Sequence, residues 1–229
     1  MIPLHDDNPV KNKSYVRLII LSLCTAIFLF QISSNNNNLL IYYFGFKPIS
    51  LFSNTSAPSF FPVLTILTSI FMHGGWMHFI GNMLYLWIFA DNVEDKMGKT
   101  KFFVFYLLSG FFASITQAIA DLNSEIPMIG ASGSIAGILG AYLYLFPKAK
   151  VLVLIPFFIF FTIRVPAFIL LIFWFIYQFL NISNAESSVA WLAHIGGFIF
   201  GYLFVALGGV KKIKKSKSVF VKRKKGPWD

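Results

Sequence analysis

Gly130-Ala131-Ser132-Gly133-Ser134-Ile135-Ala136-Gly137-Ile138-Leu139-Gly140 continues without a charge to Phe146, where Pro147 and Lys148 close it. Ser132 to Phe146 reads as a helix in lipid. At about 1.5 Å per residue this stretch covers about 22 Å, short of a ~30 Å hydrocarbon core. If its far end reaches one face, Ser132 lies several ångströms below the other. A hydroxyl at that depth requires a polar, water-accessible cavity. Ser132, Ala136 and Gly140 recur every four residues, the spacing at which small side chains let two helix backbones approach closely.

The rest of the chain reads the same way. Of 229 residues, 57% are hydrophobic and 12% charged, Phe alone counts 28, and the mean hydropathy is +0.71. A soluble domain of this size cannot hide that apolar surface, so lipid covers part of it. Soluble globular, disordered and fibrous classes are thereby excluded. A single cysteine, Cys24, excludes an internal disulfide and a multi-cysteine zinc site. Five further charge-poor runs complete a set of six expected spans: Leu18 to Ile32, Met72 to Ala90, Phe102 to Ala120, Pro166 to Leu180 and Ala190 to Leu207. Val151 to Ile163 is apolar but short, contains Pro156 and ends at Arg164, and reads as an interfacial or re-entrant piece. The fold class expected is an all-α membrane bundle. Its parts are an N-terminal segment 1–16, a six-helix membrane domain 17–209 and a basic tail 210–229.

Charge sets the orientation. Eighteen of the 19 Lys and Arg fall before span one, between spans two and three, between four and five, or after six; only Lys47 falls elsewhere. Cytoplasmic connections carry such an excess, which puts both ends in the cytoplasm and makes spans two, four and six enter from the outer face. The net charge of +10 therefore needs no nucleic acid. The run Lys211 to Lys225 reads as a topology anchor for anionic lipid headgroups, since nothing in the chain resembles a base-reading fold. The N-terminus, acidic before basic and without a small-residue cleavage site after Ile32, reads as retained.

Polar residues inside a membrane are costly and point to function. Span two carries His73, His78 and Asn82, the last two four apart and so on one face. Span four opens at Ser132, and span six carries His194 near its start, followed by the small pair Gly197 and Gly201. All three spans enter from the same face with their polar groups in the first turns, so these residues share a depth. Small-residue packing of span four on span six can bring Ser132 and His194 within hydrogen-bond range. A serine hydroxyl becomes a nucleophile when a base takes its proton, and developing oxyanion charge needs donors aimed at it. His194 can be that base; the Ser132 N–H, the Asn82 amide and His78 are candidate donors. All nine acids lie outside the spans' interiors, so a Ser-His dyad is expected rather than a triad.

These motifs resemble the rhomboid family of intramembrane serine proteases, and the resemblance covers most of the chain. Gly130-Ala131-Ser132-Gly133 with Gly137 and Gly140 resembles the family's nucleophile motif, and Ala193-His194-Ile195-Gly196-Gly197 with Gly201 its base motif. His73-Gly74-Gly75-Trp76-Met77-His78 through Gly81-Asn82 resembles the span-two motif, whose second histidine and asparagine line the oxyanion site. Asp91 to Gly98 looks like the loop that follows in bacterial members, and Pro3 to Pro9 like their N-terminus. The resemblance implies six helices, a catalytic pair Ser132 and His194, and oxyanion residues His78 and Asn82. It also implies cleavage of single-span membrane proteins within or near their transmembrane helix. No cofactor or metal is implied. Spans two and five border the lateral access route in the family, which makes Trp174 and Phe175 candidate gate residues. The N-terminal and Asp91 to Gly98 similarities favour a bacterial inner membrane.

Two departures stand out: the first outer loop lacks the Trp-Arg pair of some members, and the aromatic found four residues after the nucleophile is here Ala136. Competing readings carry less. Ser132 alone would read as a helix N-cap, and His73 as a structural tie. The span histidines have no acid or cysteine beside them for zinc. A silent relative that binds membrane clients would usually lack the nucleophile or the base. A small transporter would show an inverted repeat or an intramembrane acid pair.

Overall fold

A computed structural model describes residues 1–52, 61–156, 160–183 and 189–210; the basic run Lys211 to Lys225 lies outside the described residues. The elements in order are β1 (Ile2–Asp6), α1 (Tyr15–Ser33), α2 (Asn37–Phe44), α3 (Ile49–Phe52), α4 (Pro62–Ser69), α5 (Trp76–Met97), α6 (Lys99–Ala120), α7 (Ser132–Leu145), β2 (Lys150–Pro156), β3 (Phe160–Pro166), α8 (Ala167–Leu180) and α9 (Trp191–Phe204), with a π-helical turn at Val205–Gly209. Each expected span coincides with a helix. By length and composition Tyr15–Ser33, Lys99–Ala120 and Trp191–Gly208 can cross a membrane, and Ser132–Leu145 and Ala167–Leu180 are shorter apolar helices.

The chain is mostly helical but not all-α. The described residues of the run 151–163, expected as an interfacial or re-entrant piece, are strand: β2 pairs antiparallel with β3, and β1 joins the other edge of β2 in a three-stranded sheet. The run is rich in β-branched residues, and its burial alternates, Val151 and Val153 being fully buried while Leu152 and Leu154 are not. The partner on the other edge of β2 lies some 150 residues earlier in sequence, beyond the reach of local patterning. Two further boundaries differ from expectation. His73 precedes α5 rather than lying on it, because Gly75 is extended at the helix start. Asp91 to Met97, expected as a loop, forms the last turns of α5.

Those last turns hold the N-terminal segment. Glu94, 2% exposed, accepts the backbone N–H of Val16 at 3.0 Å and of Arg17 at 2.8 Å, satisfying two donors at the start of α1. Asp95 accepts from Asn12, and Arg17 pairs with Asp91 at 3.0 Å and lies over the Trp87 ring. Asp6 accepts from the Tyr142 hydroxyl at 2.5 Å and the Asn92 amide at 2.9 Å, and Asn92 also bonds Asn8. Burial pushes the Asp6 carboxyl up to about 6, the Tyr142 hydrogen bond opposing and the nearby Asp91 charge adding to the rise. At the other end of the bundle Lys47, 2% exposed, places its ammonium 3.6 Å from the centre of the Tyr42 ring, and burial lowers its pKa. The main core joins α1, α5, α6, α7 and α9 around Leu86, Phe89, Tyr106, Leu139 and Tyr142, all fully buried.

Candidate active site

The site is built on the contact of α7 with α9. Gly197 lies against the Gly133 carbonyl, Gly201 against the Gly137 carbonyl and Gly140 against the Phe198 carbonyl, each so close that a Cβ would collide with backbone. The first two contacts advance by four residues on both helices, so the helices run parallel. Ser132 precedes Gly133 by one residue and His194 precedes Gly197 by three, which places them within about 3 Å of each other along the axes at ~1.5 Å per residue. The third helix, α6, fills the groove beside them: Ala113 meets Gly133, Ser109 meets Gly137 and Thr116 meets Gly196.

Ser132 is the first residue of α7. The cap position is Ala131, without a side-chain cap bond, so the serine does not serve as the helix N-cap. The chain reaches it through Gly130, whose N–H donates to the Ser69 carbonyl at 2.9 Å and whose φ is +129°. L-residues rarely adopt that backbone, and a side chain would also have no space. The point where a Gly130 Cβ would stand lies 2.7 Å from His78 Nε2 and 3.5 Å from Ser132 Oγ. Ser132 Oγ and His78 Nε2 thus both lie on the side of Gly130 that a side chain would occupy. His78 turns its other nitrogen, Nδ1, to the Gly74 N–H at 3.5 Å. Asn82, one turn further along α5 and 8% exposed, has an amide nitrogen with no partner.

His194, 9% exposed, lies in the first turn of α9. Its Nδ1 is 2.8 Å from Gln178 Oε1 on α8, and its ring is flanked by Trp174 at 5.8 Å and Trp191 at 6.1 Å between centroids. Of the two candidate gate residues, Trp174 contacts His194, whereas Phe175 stacks on Phe198 at 4.5 Å and meets Phe179 edge-on. α8 packs on α9 and α7, α5 packs on α1 and α7, and among the described residues no comparable interface joins α5 to α8.

His73 stands behind this site. Its backbone N–H and carbonyl both bond the amide of Gln31 on α1, at 3.1 and 3.2 Å, while its ring packs on Phe28, Phe79 and His78. Its role is structural as expected, but the tie runs through its backbone to α1 rather than to the second span, and both ring nitrogens lack a hydrogen-bond partner among the described residues. Gln117 on α6 accepts the Ala193 N–H at 3.2 Å and so anchors the start of α9. The chain has three glutamines, 31, 117 and 178, and each ties down an element of this region. Reading only His, Ser and Asn as intramembrane polar groups misses them; the signal was an amide within an apolar run. Among the described residues no three of His, Cys, Asp or Glu converge as a metal site.

The family model described as "Rhomboid domain" matches residues 61–211. That stretch contains His78, Asn82, Ser132, Gln178 and His194. The mitochondrial Rhomboid protein 1 of Saccharomyces cerevisiae is 31% identical over 150 residues, covering 62% of this chain and 40% of that protein. Rhomboid protease GluP of Bacillus subtilis is 30% identical over 200 residues, covering 87% of this chain and 36% of that protein. The putative rhomboid protease YdcA of the same bacterium is 31% identical over 80 residues, covering 35% of this chain and 40% of that protein. The matched stretches thus span about two fifths of these relatives' own lengths.

Proposed function

The chain belongs to the rhomboid family of membrane proteins, and from that premise we propose that it is an intramembrane serine endopeptidase with Ser132 as nucleophile and His194 as base. The observation that carries the reading is the parallel contact of α7 and α9, in which Gly133 against Gly197 holds the serine and the histidine at one level. In the reaction His194 Nε2 takes the Ser132 proton as Oγ attacks a peptide carbonyl. Negative charge develops on the carbonyl oxygen, and the Ser132 N–H, His78 Nε2 and the unpartnered Asn82 amide serve as its donors. His194 then protonates the departing amine. Water, activated by the same histidine, releases the acyl group.

The substrates are single-span membrane proteins. A helical peptide bond is shielded by its own hydrogen bonds, so the substrate must unwind before Ser132 can reach it. Spans with glycine near their outer end are cut faster than polyleucine spans. Lateral access past Trp174 and Phe175 on α8, the helix that packs on α9 beside His194, belongs to the same reading. The six spans are α1, α5, α6, α7, α8 and α9, with both ends of the chain cytoplasmic, where the basic tail meets anionic lipid. The membrane is a bacterial inner membrane.

The test uses purified wild type, Ser132→Ala and His194→Ala in liposomes with a fluorogenic single-span substrate. Cleavage by the wild type alone is the result expected. Equal cleavage by all three would mean that the dyad is not the source. If none cleaves and a fluorophosphonate leaves Ser132 unlabelled, the chain is a silent binder of membrane clients.

A further inference from the structure

We infer that Gln178 is the positioning residue for His194, fixing the imidazole as the Nδ1–H tautomer so that Nε2 keeps its lone pair for the Ser132 proton. The argument is one of hydrogen-bond direction. Gln178 Nε2 donates to the Trp174 carbonyl, four residues back on α8, at 2.7 Å. A carbonyl can only accept, so this bond fixes which end of the amide faces inward. The end facing His194 is therefore Oε1, also an acceptor only, at 2.8 Å from Nδ1. Nδ1 must carry the proton, and in the neutral ring Nε2 is then bare. Gln178 is 2% exposed, so water does not substitute for it.

The chemistry explains the residue type. A base histidine needs a third group to hold its tautomer and its ring plane. A carboxylate would do this and also stabilise the imidazolium, but burying it in lipid-surrounded protein is costly. A neutral amide supplies the orientation without a charge. It also meets the departure at Ala136: with no aromatic on α7 to lie against the base, α8 holds the ring, by Gln178 through a hydrogen bond and by Trp174 through contact.

The inference rests on His194 as the base, and its test separates the two. ¹⁵N-histidine NMR of the full chain in detergent, with His194→Asn used to assign the resonances, reads the tautomer without turnover. The wild type is expected to carry its His194 proton on Nδ1. In Gln178→Met, similar in size but without an acceptor, the proton redistributes to Nε2. The same variant should lose kcat by more than about tenfold, and by less than the ~10⁴-fold cost of a wrong tautomer in a charged triad, with KM within about twofold. Gln178→Glu, which can keep an acceptor on Nδ1, restores the tautomer and most of kcat. An Nε2–H tautomer in the wild type would overturn the inference even if no variant folds. So would an unchanged tautomer and kcat in Gln178→Met. A wild type that shows the Nδ1–H tautomer but never turns over supports the part played by Gln178 and overturns the protease reading.

Discussion

The carbonyl oxygen of Gly133 lies against the α-carbon of Gly197, with no room for a side chain between them. That contact sets the level of the two residues on which the proposed chemistry depends. Gly197→Ala and Gly201→Ala should each force α7 from α9 and destabilise the fold by about 1–3 kcal/mol, the usual range for overpacking. Gly81→Ala, on α5 with open space at its Cβ, should leave the fold unchanged or add about 0.5–1 kcal/mol. Thermal denaturation in detergent checks both; equal melting of Gly197→Ala and wild type would refute so close a contact.

Gly130 tests the site more than the fold. Its φ of +129° and its proximity to His78 Nε2 exclude any Cβ. Gly130→Ala is expected to abolish fluorophosphonate labelling of Ser132, because the strain of ~1–3 kcal/mol is relieved by moving the serine and His78 apart. Its melting temperature should fall less than that of Gly197→Ala. Normal labelling would mean that Ser132 and His78 accommodate a side chain at Gly130 without loss of the site.

Asp6 gives the N-terminal strand a pH dependence. Its carboxyl stands at about 6 when folded against an ordinary 3.8, so the folded chain binds the proton more tightly than the unfolded one. The resulting stabilisation is full below about pH 4 and is lost as the pH rises through 6, amounting to at most about 3 kcal/mol. Hydrogen exchange of the Ile2–Asp6 amides, corrected for intrinsic rates, should show more protection at pH 5 than at pH 7. Asp6→Asn should remove the step.

Glu94 is the acceptor for the start of α1. Glu94→Ala leaves the Val16 and Arg17 N–H groups without it and should cost about 1–3 kcal/mol for each donor left buried and unpaired. Glu94→Gln, retaining one acceptor oxygen, should lose roughly half as much. Melting temperature and trypsin cleavage after Lys11 and Lys13 report the loosening; equal melting of Glu94→Ala and wild type would refute the cap.

Much of this was legible in the sequence because lipid imposes simple rules. A single segment crossing hydrocarbon must pair its backbone within itself, which a helix does, and the six runs read as spans became α1, α5, α6, α7, α8 and α9. Small residues four apart marked the α7–α9 seam, and Ser132, His78, Asn82 and His194 stood out as polar groups where polarity is expensive. Each of these signals is local: it needs only the residues of one helix.

What only the tertiary structure decided is long-range pairing. Strand β2 pairs on one edge with β1, far off in sequence, as well as with β3 on the other. His73 left the helix because Gln31 of α1 takes its backbone groups. Gln178 reached His194 because α8 folds back on α9. Hydropathy measures the cost of leaving a residue in lipid or water, and that cost belongs to the residue alone. A hydrogen bond has direction and needs a partner, and the partner's position is fixed when the helices pack.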